Sequence, residues 1–234
     1  MPWYDIAREI APWLQQGDID RCIERVTREL QKLPDSPFHT VATLEFTNKP
    51  KDIARYFEEF ISNESKRIPI KAVYTETNGF DINPDRWFFD VFAYKTYGGH
   101  DDHDWLSDWQ SDRYPDMTLT GMERLQEIYE TEYVVGKSYG DSPDYASLLV
   151  VLKFQNLIKS SAPLISNLSF PLLATSHEYD LIYEFTVTDP TWYTTTWKGR
   201  NRLRRSSETL FEFACHEGNY AIRFILQGMR AREL

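Results

Sequence analysis

Residues 86–97 form a strand-like stretch rich in aromatic residues: Arg86-Trp87-Phe88-Phe89-Asp90-Val91-Phe92-Ala93-Tyr94-Lys95-Thr96-Tyr97. Successive side chains of an extended strand point to opposite sides, so Trp87 and Phe89 face one side while Phe88 and Phe92 face the other. Aromatic residues on both sides predict a strand that is covered twice, or one whose outer side is a contact surface.

The residues around this stretch predict a β-hairpin. Residues 68–77 are rich in β-branched side chains, which favour strands, and the turn-forming pair Asn78-Gly79 follows them. We therefore predict an antiparallel hairpin over residues 68–97. A second hairpin is predicted over residues 208–227, where His216-Glu217-Gly218-Asn219 separates two strand-like runs.

Most of the remaining sequence has apolar residues at helical spacing. The sequence therefore predicts an α+β fold, with an N-terminal helical pair followed by antiparallel β-hairpins with packed helices. We treat residues 1–234 as a single α+β domain, and a seam near residues 138–143 between two α+β halves is the alternative. The predicted helices cover residues 6–14, 19–30, 50–66, 121–135 and 144–161, and further strands cover residues 41–46 and 179–188.

The composition narrows the class of protein. Hydrophobic residues make up 41% of the 234 residues and aromatic residues 15%, which excludes collagen-like and low-complexity chains. The formal net charge of −10 disfavours nucleic acid as a partner, because a negative field repels phosphates. Two cysteines, Cys22 and Cys215, are too few for a disulfide framework and indicate reduced thiols. Since the sequence shows no basic leader and no apolar run of about 20 residues, we expect a cytoplasmic protein without a membrane partner.

Common catalytic templates are missing from the sequence. It has no glycine-rich phosphate loop, no strand-linked dinucleotide fingerprint, no Gly-x-Ser-x-Gly elbow and no His-Glu-x-x-His zinc helix. Paired Cys-x-x-Cys knuckles need more than two cysteines. We therefore expect no catalytic residues and no cofactor. The protein would be an enzyme only if its catalytic residues were dispersed along the chain.

Residues 98–116 form the most distinctive segment, which we call the acidic segment. It holds six aspartates and one arginine, so its charge of −5 is half of the net charge of the chain. His100, His103 and Asp104 offer imidazole and carboxylate ligands of the kind that bind zinc, manganese or iron. This pattern predicts, as an alternative function, a metal-dependent hydrolase or oxygenase with a divalent metal. A solvated loop explains the same residues without a metal.

The acidic segment has a second interpretation, as a surface that recognises a basic protein partner. If residues 104–112 are helical, Asp104, Asp108 and Asp112 stack on one face and two tryptophans form the neighbouring ridge. Tryptophan is enriched among binding hot spots, and acidic surfaces steer basic partners. In the opposing interpretation both tryptophans pack inward and only the aspartates meet water. The candidate partner-binding residues are Asp101, Asp102, Asp104, Trp105, Asp108, Trp109 and Asp112.

Residues 198–205 form a basic run that carries +5 in a protein that is otherwise acidic. One interpretation is a site for phosphate-bearing ligands. The interpretation we prefer is a surface loop that pairs with the acidic segment, within one chain or across a weak homodimer whose association falls as salt rises. The candidate anion-binding residues are Lys198, Arg200, Arg202, Arg204 and Arg205.

The missing catalytic templates and the acidic segment together predict a function. We expect a non-enzymatic, intracellular binding or regulatory protein that meets a protein partner through an acidic-aromatic surface. The metal-dependent hydrolase or oxygenase is the alternative, and stoichiometric metal in protein purified without chelator would favour it.

Overall fold

The computed structural model describes residues 3–80, 83–99, 104–133, 137–177, 181–187 and 197–203. The chain divides into two compact units, Met1–Glu178 and Tyr179–Leu234. The predicted α+β class is confirmed, because the first unit combines helices with a mixed four-stranded sheet. Residues 138–143 lie inside the first unit, and the single-domain organisation stays a prediction.

Helices, including short 3-10 helices, make up about half of the described part of the first unit. They are α1 (Trp3–Gln15), α2 (Ile19–Leu30), α3 (Pro50–Glu64), α4 (Glu123–Ile128), which continues into a π-helical turn at Tyr129–Tyr133, and α5 (Ser142–Ser161). The predicted N-terminal pair is confirmed, since α1 packs against α2. Helix α2 buries Cys22, Val26 and Leu30 at helical spacing and also packs against α5. No helix in the described part of the chain is long and apolar enough to span a bilayer.

The strand predicted over residues 41–46 is wrong, because a 3-10 helix spans Pro37–Thr43 instead. Its proline stands at the start of the helix, where a missing N–H costs no hydrogen bond. The helix buries two side chains three residues apart, Phe38 and Val41, in the main core. Packing of these two side chains overrides the strand preference of the local sequence.

Four strands form one sheet: β1 (Ala72–Thr77), β2 (Phe88–Tyr94), β3 (Met117–Thr118) and β4 (Leu172–Ser176). Their order across the sheet is β3-β2-β1-β4. β1 and β2 pair antiparallel, in broad agreement with the hairpin predicted over residues 68–97, and their pairing spans Ala72–Thr77 and Phe89–Tyr94. β4 pairs with β1 in the parallel direction. The hairpin predicted over residues 208–227 lies outside the described residues.

The main core lies where the sheet meets the helices, and Phe89 of β2 is at its centre. The centre of the Phe89 ring lies 5.3 Å from that of Tyr56 on α3 and 5.5 Å from that of Phe154 on α5. Trp87, just before β2, is also buried and donates its Nε1–H to the Phe80 carbonyl oxygen. The side of the strand that carries Trp87 and Phe89 is therefore the inner side.

The second unit contains an antiparallel pair of strands, β5 (Leu181–Val187) and β6 (Trp197–Leu203). β5 confirms the strand predicted over residues 179–188. The surface loop predicted for the basic run is wrong for residues 198–203, which belong to β6. Strand pairing uses backbone N–H and C=O groups, so a sequence rich in charged residues can form a strand.

Candidate functional site

The alternation of β1 and β2 leaves an outer face of the sheet, opposite to the face that meets the main core. On β1 the outer face carries Tyr74 and Glu76, and on β2 it carries Asp90 and Phe92. In the strand register Tyr74 lies opposite Phe92, and Glu76 lies opposite Asp90. The outer face therefore has an aromatic part and an acidic part side by side.

The acidic segment leaves β2 and returns along the edge of that strand to reach β3. The Ala93 N–H donates to Ser111 Oγ over 3.0 Å, and the Lys95 N–H donates to Gln110 Oε1 over 2.8 Å. The Gln110 N–H donates to the Ala93 carbonyl oxygen over 3.1 Å. These bonds satisfy backbone groups at the edge of β2 and fix residues 110–111 beside it.

Trp105 anchors the acidic segment in a small second core. It is only 8% exposed, and its ring centre lies 4.8 Å from that of Tyr94 and 5.3 Å from that of Tyr97. Its Nε1–H donates to the Gly99 carbonyl oxygen, and the Tyr94 hydroxyl donates to the Leu106 carbonyl oxygen. Trp105 therefore packs on the outer face, and Tyr74 and Phe92 pack against the same small core.

Trp109, by contrast, is 50% exposed. Its ring stands edge-on to that of Phe92, with 5.5 Å between ring centres, and the Phe92 ring lies 6.2 Å from that of Tyr74. We call these three rings the aromatic patch. Among the residues that the structure describes, Trp109 and Leu164 are the large apolar side chains that stay exposed. One tryptophan of the acidic segment thus packs inward and the other faces solvent.

The helix considered for residues 104–112 is wrong, since only Asp104–Ser107 forms a short 3-10 helix. The residues that follow are not helical, and they make the bonds to β2 instead. A longer helix would stack three aspartates on one face, which is unfavourable, and would give up those bonds. The stacked acidic ridge therefore does not form.

Two aspartates of the acidic segment are neutralised by arginines of the same unit. Asp112 lies 3.2 Å from Arg67, and Asp116 lies 2.8 Å from Arg86. Because Asp112 is largely exposed, its pair with Arg67 adds little stability. Both pairs connect the acidic segment to other parts of the first unit.

Two acidic residues, Asp90 and Asp108, stand next to residues of the aromatic patch along the chain. Asp90 stands two residues before Phe92 on the same side of β2, and Asp108 directly precedes Trp109. Neither carboxylate makes an ion pair or a hydrogen bond with any residue in the described ranges. The outer face therefore presents exposed aromatic surface beside carboxylates that make no direct ion pair there, while the charges of Arg113 and His177 act on Asp90 from farther away.

The Glu76 carboxylate, opposite Asp90 on the outer face, is bonded by other side chains of the protein. Glu76 accepts a hydrogen bond from the Tyr74 hydroxyl over 2.9 Å and lies 2.6 Å from Nδ1 of His177. Burial raises the pKa of Asp90, and the charges of Asp116 and Glu76 raise it further.

The sequence alone does not reveal the contact between Glu76 and His177, because the parallel pairing of β1 with β4 brings together residues 101 positions apart. The one local signal is the alternation that puts Asp90 on the outer side.

Asp90→Asn should raise the free energy of unfolding at about pH 7 by about 0.5 kcal/mol. Because the pKa of Asp90 in the folded state lies above its ordinary value of 3.8, folding favours the protonated carboxyl. Wild-type stability should therefore fall as pH rises from 3.8 through the raised pKa, and the variant should lack this part of the fall. Urea unfolding of both proteins at about pH 3 and about pH 7 measures the difference.

Asp112→Asn is the matched control for that experiment. It removes the same charge from an exposed carboxylate that is paired with Arg67, so it should bring no gain in stability at neutral pH. Parallel stability curves for wild type and Asp90→Asn across this pH range would contradict the assignment.

Some of the candidate residues lie outside the described part of the chain, namely His100, Asp101, Asp102, His103, Arg204 and Arg205. Only the backbone is described at Asp104, Lys198, Arg200 and Arg202. Within the described ranges, no group of three or more His, Cys, Asp or Glu side chains is arranged to hold a metal ion. The metal site at the two histidines and the anion site on the basic run stay predictions.

Comparison of the chain with known protein families, with curated proteins and with solved structures finds no match. The chemistry of the outer face is therefore the basis for assigning a function.

Proposed function

We propose that this chain is a non-enzymatic binding protein whose outer face receives a basic protein partner. One observation carries the proposal. The half-exposed ring of Trp109 rests against Phe92, and among the described residues the carboxylates of Asp90 and Asp108 make no direct ion pair. The nearest described cations that act on Asp90, Arg113 and His177, do so without such a contact. A partner that brings cations to these rings would pair with the carboxylates directly.

An arginine side chain suits this surface best. Its guanidinium plane stacks on aromatic rings, and its N–H groups bond carboxylates in pairs. Trp109 offers the ring, and the preceding Asp108 offers an exposed carboxylate on the same short segment. Tryptophan and arginine are also the residue types most enriched in binding hot spots. We therefore favour a partner that exposes arginines over an acidic or purely apolar partner.

The overall charge supports the same class of partner. A net charge of −10 attracts basic proteins and speeds their encounter at low salt. We place this interaction in the cytoplasm, and the buried free thiol of Cys22 suits a reducing compartment.

Titration with a short basic peptide tests the proposal. The probe is an octapeptide of alternating arginine and glycine, and an octapeptide of alternating glutamate and glycine is the matched control. We expect the arginine peptide to bind in calorimetry at low salt, with a Kd that rises with salt because exposed charges are screened. The glutamate peptide should not bind. Equal binding of both peptides, or no binding of either, would refute the proposal.

A charge-removing variant tests whether the peptide binds at the outer face. Asp108→Asn should weaken binding of the arginine peptide about fivefold, which corresponds to about 1 kcal/mol for one exposed charge pair. Glu24→Gln removes the same charge from an exposed position on α2 and should leave the Kd unchanged. Equal losses in the two variants would mean that net charge alone holds the peptide.

A further inference from the structure

A lysine is buried on α5, apart from the outer face. Lys153 is 3% exposed, and it is the one charged residue among those that α5 buries. Its ammonium donates to the Leu44 carbonyl oxygen and to Glu45 Oε1, the latter over 2.6 Å. An ammonium in such a place is costly unless it is paired, so these two contacts are what keep the charge inside the protein.

The Lys153 ammonium has bonding capacity left over. It carries three N–H donors, whereas the residues that the structure describes supply two acceptors, Leu44 and Glu45. Lys153 also lines an open pocket of about 200 Å³. The remaining lining residues are Phe46, Asn48, Pro50, Asn156, Leu157 and Ser160.

The Glu45 carboxylate is the partner of Lys153 that the anion of a ligand can replace. Its side chain is 69% exposed, and Lys153 is the one group that its carboxylate bonds within the described ranges. The pair is therefore unequal, because a solvated carboxylate gains little from a single ion pair while the buried ammonium needs an anion. A carboxylate with a short apolar tail would bring the same charge and also bury that tail against Phe46 and Leu157.

We propose that this pocket binds a small carboxylic acid. Its carboxylate replaces that of Glu45 on Lys153, and its alkyl chain fills the space beside Phe46, Pro50 and Leu157. A pocket of about 200 Å³ suits a small ligand. Apart from Glu45 and Lys153, the pocket walls are uncharged, which favours a ligand with a single charge. This site is independent of the basic partner proposed for the outer face.

Butyrate is the probe, and its binding is measured by NMR of the isotope-labelled protein. We expect saturable shifts of the amide signals of Phe46, Lys153 and Leu157, with a Kd on the order of millimolar. Butylammonium, which has the same chain and the opposite charge, should leave these signals in place. Glu45→Gln removes the competing carboxylate and should tighten butyrate binding about fivefold, and Lys153→Met should abolish it.

Three results would overturn the proposal: equal shifts with butyrate and butylammonium, undiminished butyrate binding by Lys153→Met, or binding by Glu45→Gln that is no tighter than that of wild type. Lys153→Met replaces the lysine with an apolar side chain of similar length, so it should fold and melt cooperatively. If either variant fails to fold, the comparison of butyrate with butylammonium in the wild-type protein decides the question alone.

Discussion

Phe89→Ala should lower the free energy of unfolding by about 4 kcal/mol. The Phe89 side chain is fully buried, and its ring contacts Tyr56, Phe57 and Phe154. Truncation to alanine therefore leaves a cavity where β2 meets α3 and α5. Urea unfolding followed by circular dichroism measures the loss.

Phe88→Ala is the matched control, one residue earlier on the opposite side of the strand. The Phe88 ring is only partly buried, and its neighbour there is the Arg86 guanidinium, 4.5 Å from the ring centre. Its truncation should cost about 1 kcal/mol, because less apolar surface returns to water. Since a slip of one residue exchanges the two sides of a strand, equal losses at the two positions would contradict this register.

Gly121→Ala should destabilise the protein by about 3 kcal/mol. Gly121 has a φ of +101°, which side chains other than glycine rarely adopt. A Cβ there would stand 2.2 Å from the Glu45 carbonyl oxygen and 2.8 Å from the Thr47 nitrogen. That backbone is held in place, because the Thr47 N–H donates to the Thr120 carbonyl oxygen over 2.8 Å.

Gly140→Ala separates the two causes of that loss. Gly140 also has a positive φ, +56°, but a Cβ there would meet no heavy atom within 4 Å. It should cost about 1 kcal/mol from backbone conformation alone. Thermal or urea unfolding of both variants gives the comparison, and a loss at Gly121 no larger than that at Gly140 would show that residues 45–47 are not packed this closely against it.

The parts of the fold that follow from local pattern are the parts that sequence reasoning recovers. Alternation along residues 86–97 separates the inner Phe89 from the outer Asp90 and Phe92, and the structure keeps this division. Helical spacing likewise predicts α1, α2, α3 and α5. In these segments the spacing of apolar residues along the sequence determines which side chains are buried. One sequence is therefore enough to predict them.

Where distant contacts decide, the same reasoning fails. Residues 41–46 have strand-like composition, yet the burial of Phe38 and Val41 makes a 3-10 helix there. Residues 104–112 have helical spacing, yet bonds from Gln110 and Ser111 to β2 hold them in another conformation. The sequence singles out Trp109 as a candidate, but its partner Phe92 and the neighbouring Asp90 emerge only when the acidic segment is seen on the outer face.

The Kd of the arginine peptide for Trp109→Ala tests whether the outer face is the binding site. Removing the exposed ring should raise that Kd at least tenfold, which corresponds to about 1.4 kcal/mol, while the stability of the fold changes little. Leu164→Ala, at the other exposed large apolar side chain of the described ranges, should bind the peptide as wild type does. An unchanged Kd for Trp109→Ala, or an equal loss for Leu164→Ala, would contradict the outer face as the binding site.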